Sequence, residues 1–275
     1  MAGRLAGAVK DVIVLGAGLA GLAAARRLSE GGLSVLVLDK GRRPGGRATT
    51  RTPRDGGVPL NHGLPALPPE ARAMLPDLPA TLHDEIDGLA APLDLRTGAT
   101  VEEVGGNAVI WRDAKGLVQE EKADRVLSTL PAPQVAALLP GAVPEDVVMA
   151  PRWTLMVRAS GLDARLLSLP EGWVLGHALE GAAAIHMDVA ESRSELEREK
   201  PEMAGIMAAR LDLPAGAEIA AHRWRYAHPE RPAGTPFLQH GPTLIGGDWC
   251  LGTGIGDGAV AALRSGLAMA DRVLA

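Results

Sequence analysis

With 275 residues, 47% of them hydrophobic, the chain can build one large domain or two interleaved ones with a substantial core. A net charge of −5 gives no basis for nucleic-acid binding, and seven aromatic side chains, five of them Trp, argue against a base-stacking surface. Cys250 is the only cysteine, so no internal disulfide is possible and nothing argues for export.

The first element is Val12 to Leu15, an apolar β-branched run that predicts a buried parallel strand. Gly16, Gly18 and Gly21 follow at once in the spacing G-x-G-x-x-G, and Leu22 to Leu28 then predicts an Ala-rich helix. Gly16 permits a tight turn, Gly18 lets the backbone approach a pyrophosphate, and Gly21 lets the helix lie close to the strand. The helix N-terminus adds free N–H groups and a positive dipole end, so Gly16, Ala17, Gly18, Leu19, Ala20 and Gly21 are candidate phosphate-binding residues. Gly31 and Gly32 end the helix. Ser34 to Leu38 is the second strand. Asp39 ends it, 18 residues past Gly21, within reach of ribose hydroxyls. Val12 to Ala25 is this strand–turn–helix, too short and too rich in glycine to cross a membrane or act as a signal peptide. The chain reads as soluble and cytoplasmic.

A second glycine signal follows the acid after five intervening residues, with Gly45, Gly46 and Arg47 preceded by Lys40 and Arg42. Glycines allow close approach to a phosphate, and a guanidinium meets its oxygens with a planar fork. Arg42, Arg43, Arg47, Arg51 and Arg54 are dense enough that some must simply face water.

Residues 93 to 130 read as a β-meander. Its strands are Val101–Val104, Ala108–Arg112 and Val118–Glu120, with a further strand over Arg125 to Leu130. Pro131 closes it, and a helix covers Pro133 to Leu139. Residues 151 to 187 hold three strand-like runs, Arg152–Ala159, Trp173–Leu179 and Ala182–Met187. A helix from about Glu191 to Leu211 follows, with Pro201 expected to break it. Its charge run, Glu191 to Glu202, is most simply a solvated face. Ile219 to Tyr226 is a strand in which His222, Trp224 and Tyr226 alternate with Arg223 and Arg225, and either face is a candidate pocket wall. Thr243 to Ile245 is the last strand. Gly258 to Leu274 is an amphipathic helix with Val260, Leu263, Leu267, Ala270 and Leu274 on its apolar face. The seven histidines show no metal-ligand spacing, and no small-residue turn has the serine of a nucleophile elbow.

The run D-x-x-x-x-x-G-G-R-x-x-T from Asp39 to Thr50 resembles the FAD-binding signature of the amine-oxidase-like flavoproteins. LNHG at Leu60–Gly63, STLPAPQVAALLP at Ser128–Pro140, HRWRYAHP at His222–Pro229 and the segment Gly246–Asp271 resemble a narrower group. That group is the renalase-like FAD-dependent oxidoreductases. The resemblance implies an α/β fold, with a Rossmann-like FAD-binding domain and an interleaved smaller α+β substrate domain built on an antiparallel sheet. The expected FAD-binding domain takes residues 1–65, 91–140 and 241–275, and the substrate domain takes 66–90 and 141–240. It also implies that Lys40, Arg42, Gly45, Gly46, Arg47 and Ala48 line the FAD phosphates. Asp248 then meets the ribityl chain or lies near the pyrophosphate. The first turn of the last helix, Gly258, Ala259 and Val260, points at the pyrimidine end of the isoalloxazine, where a positive dipole end favours the reduced ring. Thr129 joins the cofactor set. Val101 either meets the adenine through its backbone or is a plain strand residue. His62 either contacts the flavin or holds a structural hydrogen bond.

The group oxidises an amine-like or dihydronicotinamide substrate, and oxygen returns the flavin to its oxidised form as hydrogen peroxide leaves. The implied partners are thus a small-molecule substrate and a nicotinamide nucleotide, with neither nucleic acid nor membrane. In such enzymes the flavin performs the hydride chemistry, and a strong protein acid or base is not obligatory. Pocket candidates are Asn61, His62, Trp153, Arg223, Trp224, Tyr226 and Trp249. Arg223 reads as an anchor for an anion or, more plainly, as a surface ion pair. Cys250 reads as a small buried hydrophobe, and no motif supports a covalent link to flavin. Two departures bear on the substrate. Asn61 stands where the group has an acid, and Gly63-Leu64-Pro65-Ala66 replaces its usual continuation. The segments after Gly63 and between Gly161 and Trp173 are also short. A related desaturase or porphyrinogen oxidase with an apolar substrate, and a flavin-binding protein without turnover, are therefore the alternatives.

Overall fold

The apolar run Val12–Leu15 does become a buried strand, and the rest of a parallel sheet is built outward from it. The computed structural model describes residues 9–53, 57–75, 81–252 and 256–275. In chain order the first elements are β1 (Lys10–Leu15), α1 (Leu19–Glu30), β2 (Val35–Asp39), β3 (Thr50–Arg51), β4 (Leu60–Asn61), α2 (Pro69–Arg72) and α3 (Leu82–Ala90). Next come β5 (Asp94–Thr97), β6 (Thr100–Gly105), β7 (Ala108–Arg112), β8 (Val118–Ser128), α4 (Ala132–Leu138) and β9 (Val148–Arg158). The chain continues with β10 (Val174–Leu179), β11 (Ala182–His186), α5 (Val189–Ser194), α6 (Lys200–Ala208) and β12 (Glu218–Arg231). It ends with β13 (Leu238–His240), β14 (Thr243–Ile245) and α7 (Gly258–Leu274).

Two units emerge. The first comprises residues 1–46, 68–149 and 228–275, and the second 47–67 and 150–227. The first unit carries the sheet in the order β13-β14-β8-β1-β2-β5. Strands β14, β8, β1, β2 and β5 are parallel, and β13 pairs antiparallel at the edge. Strands β6, β7 and β8 form the expected meander. The two runs expected at 118–120 and 125–130 are one strand, because β8 pairs with β7 over its first half and with β1 over its second. This is a mixed α/β architecture with a Rossmann-like core.

The division differs from the expected one at three places: helices α2 and α3 fall in the first unit, as do 141–149 and 228–240, and 47–65 falls in the second. Arg26 Nη1 donates to the Gly88 carbonyl at 3.0 Å, and Arg264 pairs with Glu70 at 2.6 Å. The short helices α2 and α3 are tied to α1 and α7 by these contacts, which local sequence does not reveal.

Helix α7 buries Val260, Leu263 and Ala270 as expected, but its buried face is wider than that stripe and shifted at two positions. Ser265, Gly266 and Met269 are buried, whereas Leu267 is only half-buried and Leu274 is 37% exposed. The reason is close helix packing: a Cβ at Gly266 would collide with the carbonyl of Ala20 on α1. Valine at position 266 should therefore cost about 1–3 kcal/mol by overpacking. A urea titration should show a lower midpoint at an unchanged m-value.

The second unit carries a sheet in the order β10-β11-β9-β12 and the short pair β3–β4. Thr154 on β9 is registered against His186 on β11. Trp153, Leu155 and Val157 point to one face, where they pack on Met203 and Met207 of α6 and on Trp173. Pro201 corrects a second expectation. The helical segment is interrupted before it, at 195–199, and Pro201 lies in the first turn of α6, where its missing N–H costs nothing. A small α+β unit on a mainly antiparallel sheet results.

Candidate functional site

The parallel register of the first unit brings four strand ends to one edge. Leu15 is registered with Leu38 and Ser128, and Ser128 with Ile245. The carboxyl ends of β1, β2, β8 and β14 are thus neighbours, which is where open α/β sheets bind ligands. The Gly16 amide donates to the Leu38 carbonyl at 2.8 Å, and the Gly246 amide to the Ser128 carbonyl at 2.9 Å.

The first glycine loop has its expected geometry. Gly16 has φ +99°, a region that favours glycine. A Cβ at Gly21 would collide with the Gly16 carbonyl oxygen, so helix and turn touch backbone to backbone. Gly18 differs from both. It caps α1 without any side-chain hydrogen bond, and a Cβ built there meets nothing within 4 Å. Ala17, Leu19 and Ala20 bury their side chains, so only their backbone is on offer. Thr129 braces the turn from below, its hydroxyl donating toward the carbonyls of Leu15 at 2.9 Å and Gly16 at 3.2 Å.

The second glycine loop docks on the first. The Gly45 amide donates to the Ala17 carbonyl at 2.7 Å, and Gly18 and Gly45 form an isolated parallel bridge. Gly45 has φ +106° and Gly46 φ +55°. Asp39 ties the two segments, with Oδ2 accepting from the Ala17 amide at 2.7 Å and Oδ1 from the Gly41 amide at 2.6 Å. Each oxygen keeps a further lone pair. Lys40 and Arg42 are exposed beside this loop.

Asp248, Gly258, Ala259 and Val260 also belong to the first unit. Asp248 is buried, and a Cβ built on Gly258 lies 3.9 Å from its Oδ2, so the acid and the first turn of α7 are adjacent. Ser265 accepts the Gly247 amide at 2.8 Å and so fixes the turn before Asp248. Val101 packs its side chain with the apolar cluster around Val109 and Trp111. Trp249 does not line a cavity. It is fully buried with Ile245 and Cys250, and its Nε1 donates to the Leu130 carbonyl at 3.0 Å. Burial pushes the Cys250 thiol up to about 12, so it stays a neutral small hydrophobe. Residues 253–255 of the closing motif, and Arg54 of the basic run, lie outside the described residues.

The remaining candidates lie in the second unit. Arg47 Nη1 donates to the Ala227 carbonyl at 3.0 Å, and Ala48 is buried. Asn61 holds a turn: its Oδ1 accepts from Thr50 at 2.6 Å and its Nδ2 donates to the Pro65 carbonyl at 2.6 Å. Trp153 is a core residue, not a pocket wall. It is fully buried, its Nε1 donates to the Glu195 carbonyl, and Arg223 lies over its ring. Arg223 donates to the Leu196 carbonyl at 2.8 Å, Arg225 forms a bidentate pair with Glu197, and Tyr226 is half-buried.

The opposite side of β12 meets His62. Trp224 stacks on His62 with centroids 5.1 Å apart, and His222 lies 4.8 Å from His62 and 4.0 Å from Trp224. Trp224 Nε1 donates to Thr154 Oγ1 at 3.1 Å, and that hydroxyl shares a 2.8 Å hydrogen bond with His186 Nδ1. Burial draws His62 and His186 down to about 4 and His222 to about 3, and neighbouring positive charge adds to it. All three are neutral at pH 7. Thr154 and His186 had no local signal in the sequence; only the β9–β11 register brings them together.

A parallel sheet, a glycine turn at a helix N-terminus and an acid closing the next strand are the features of a Rossmann-like dinucleotide-binding domain. A family model described as the NAD(P)-binding Rossmann-like domain matches residues 14–78. The putative flavin-containing monoamine oxidase AofH of Mycobacterium tuberculosis is 39% identical over 102 residues, 37% of this chain and 19% of that protein. The probable electron transfer flavoprotein-quinone oxidoreductase YgcN of Escherichia coli is 26% identical over 221 residues, 75% of this chain and 50% of that one. The chain thus spans half or less of the length of these relatives. Among solved structures, the myxobacterial chondrochloren halogenase CndH, described as a FAD-dependent halogenase, matches with a TM-score of 0.60 at 12% identity. That match covers 98% of this chain and 75% of the halogenase, and at this identity it is a likeness of fold.

Proposed function

We propose that the chain is a FAD-dependent oxidoreductase that takes a hydride from a small amine-like or dihydronicotinamide substrate, with oxygen as final acceptor. The observation that carries the cofactor is the docking of the two glycine loops at the N-terminus of α1, with open space over Gly18. A side chain would fill that space, and a pyrophosphate fits it, flanked by backbone amides, the helix dipole and exposed Lys40 and Arg42. Gly16 to Gly21, Asp39, Gly45, Gly46, Thr129, Asp248 and the first turn of α7 are the residues of the first unit that hold FAD in this reading. Val101 is the candidate for the adenine. Arg47, Ala48 and His62 keep the roles that the sequence resemblance implies for them. Bound FAD supplies the hydride acceptor, and the chain's own residues bind, orient and exclude water.

The finer step, to amine-like or dihydronicotinamide substrates, is supported by the segments Leu60–Gly63, Ser128–Pro140 and His222–Pro229. His62 and His222 beside Trp224 are both neutral at pH 7, which suits a direct hydride transfer. Anaerobic mixing of the flavin-loaded protein with reduced nicotinamides, their ring isomers and simple amines tests it. Bleaching of the flavin within seconds by one of these donors is the expected result. Full flavin loading with no bleaching by any of them would rule the substrate class out.

A further inference from the structure

The two faces of the sheet in the second unit treat arginine differently. On the face of Trp153, Leu155 and Val157, the arginines have acidic partners. Arg198 pairs with Glu195 and Glu202, Arg210 with Glu191, and Arg225 with Glu197. The other face carries Thr154 and His186 and, by alternation along β9, Arg152, Met156 and Arg158. There, among the described residues, no carboxylate lies within 4.0 Å of Arg51, Arg152 or Arg158. Arg51 rests its Nη1 on the Met156 sulfur at 3.8 Å, which is a weak acceptor, and Arg158 reaches the Val58 carbonyl.

Arg152 is the most unusual of the three. It is only 8% exposed, and its Nε and Nη1 have no hydrogen-bond partner. Asp188 is the carboxylate that acts on it, yet Asp188 Oδ1 accepts the Ala190 and Glu191 amides that open α5. A buried guanidinium without acceptors is costly and persists where something compensates it. The histidines of this face do not, since a neutral imidazole brings no negative charge.

We infer that this face of the second unit is an oxyanion site, and that the small molecule bound there carries a carboxylate or phosphate group. Buried Arg152 supplies a fixed positive field, and exposed Arg51 is free to leave the Met156 sulfur and meet the anion directly. Half-buried Trp224, stacked on buried His62, offers a flat neutral surface for the rest of the ligand. The inference deepens the oxidoreductase reading by giving its substrate a charge, but it concerns binding and stands on the second unit alone.

Calorimetric titration of the purified full chain with sodium benzoate and with inorganic phosphate, at ionic strength held constant with sodium chloride, tests it. One of the two anions should bind measurably, and the one that does names the oxyanion. Arg152→Met should raise its Kd at least tenfold and Arg51→Met at least threefold, while Arg225→Met should leave it unchanged. Arg51 is exposed, so its variant keeps the test open if Arg152→Met fails to fold. Phosphate held on the glycine loop instead would be lost in Gly18→Ala and kept in Arg51→Met, and that pattern contradicts the inference. So does the absence of heat from both anions, or equal binding by wild type and Arg51→Met. Flavin content is read on the same samples. Anion binding lost in Arg51→Met without any flavin would uphold this inference and sink the oxidoreductase reading.

Discussion

Alanine at Gly18 should weaken FAD binding while leaving the fold intact, whereas alanine at Gly21, three residues on, should destabilise the fold. Both glycines belong to one motif, and sequence alone treats them alike. The structure separates them. A methyl group at Gly18 meets no atom within 4 Å, and the residue has φ −76°, which any amino acid adopts. Loss of stability there should stay below about 1 kcal/mol, since alanine replaces glycine at a helix cap that carries no side-chain bond. The methyl would nevertheless stand in the space over the loop where we place the pyrophosphate. FAD retention should fall at least tenfold, about 1.4 kcal/mol of binding. At Gly21 the same methyl lands on the Gly16 carbonyl oxygen and crowds Thr129 Oγ1, and a backbone oxygen cannot yield as the end of a flexible side chain would. The cost should reach or exceed the roughly 1–3 kcal/mol of ordinary overpacking. Urea midpoints and bound flavin per protein, measured on both variants, distinguish the two outcomes. Equal flavin retention in Gly18→Ala and wild type would contradict the placement of the cofactor.

Acid should unfold the second unit early. His62 and His186 sit at about 4 and His222 at about 3, against an ordinary 6.5, chiefly because burial penalises their charged forms. Their folded values lie below their unfolded ones, so the unfolded chain binds more protons as pH falls. The stability is therefore complete above about pH 6.5 and is lost progressively between 6.5 and about 3–4. Each histidine contributes up to about 1.4 kcal/mol per pH unit across that window. The three are neighbours, so their contributions are coupled and do not simply add. Melting temperature should drop steeply between pH 6.5 and 4.5 in wild type, and less steeply in His222→Phe, which keeps an aromatic ring against Trp224. A flat profile across that range would contradict the buried, neutral cluster.

What was legible in the sequence was local. Gly16, Gly18, Gly21 and Asp39 fall within one βαβ unit, and spacing alone identified their geometry. The Gly45–Gly46 turn was legible as a second phosphate signal, but its docking on Ala17 and Gly18 was not, because that contact depends on backbone hydrogen bonds. Pro201 looks like a breaker in the sequence, yet proline in a first helical turn starts a helix as readily as it ends one. Trp153 and Trp249 were read as pocket walls on chemistry alone. Each was claimed instead by a core, with its indole N–H satisfied by a carbonyl. The pairing of Thr154 with His186 spans 32 residues and follows from strand register, and the orphaned edge of Arg152 follows from what its neighbours lack. Neither leaves a mark in a one-dimensional pattern. The place of α2 and α3 in the first unit leaves no local mark either, since short helices carry little information about which layer they cover.

The central claim is that the paired glycine loops hold FAD. The most direct measurement is the absorption spectrum of the supernatant after the purified chain is denatured and removed. A flavin spectrum stoichiometric with the protein, or stoichiometric uptake of added FAD by the chain before denaturation, is the expected result. A supernatant without flavin bands, from a folded chain that also fails to take up added FAD, would contradict it.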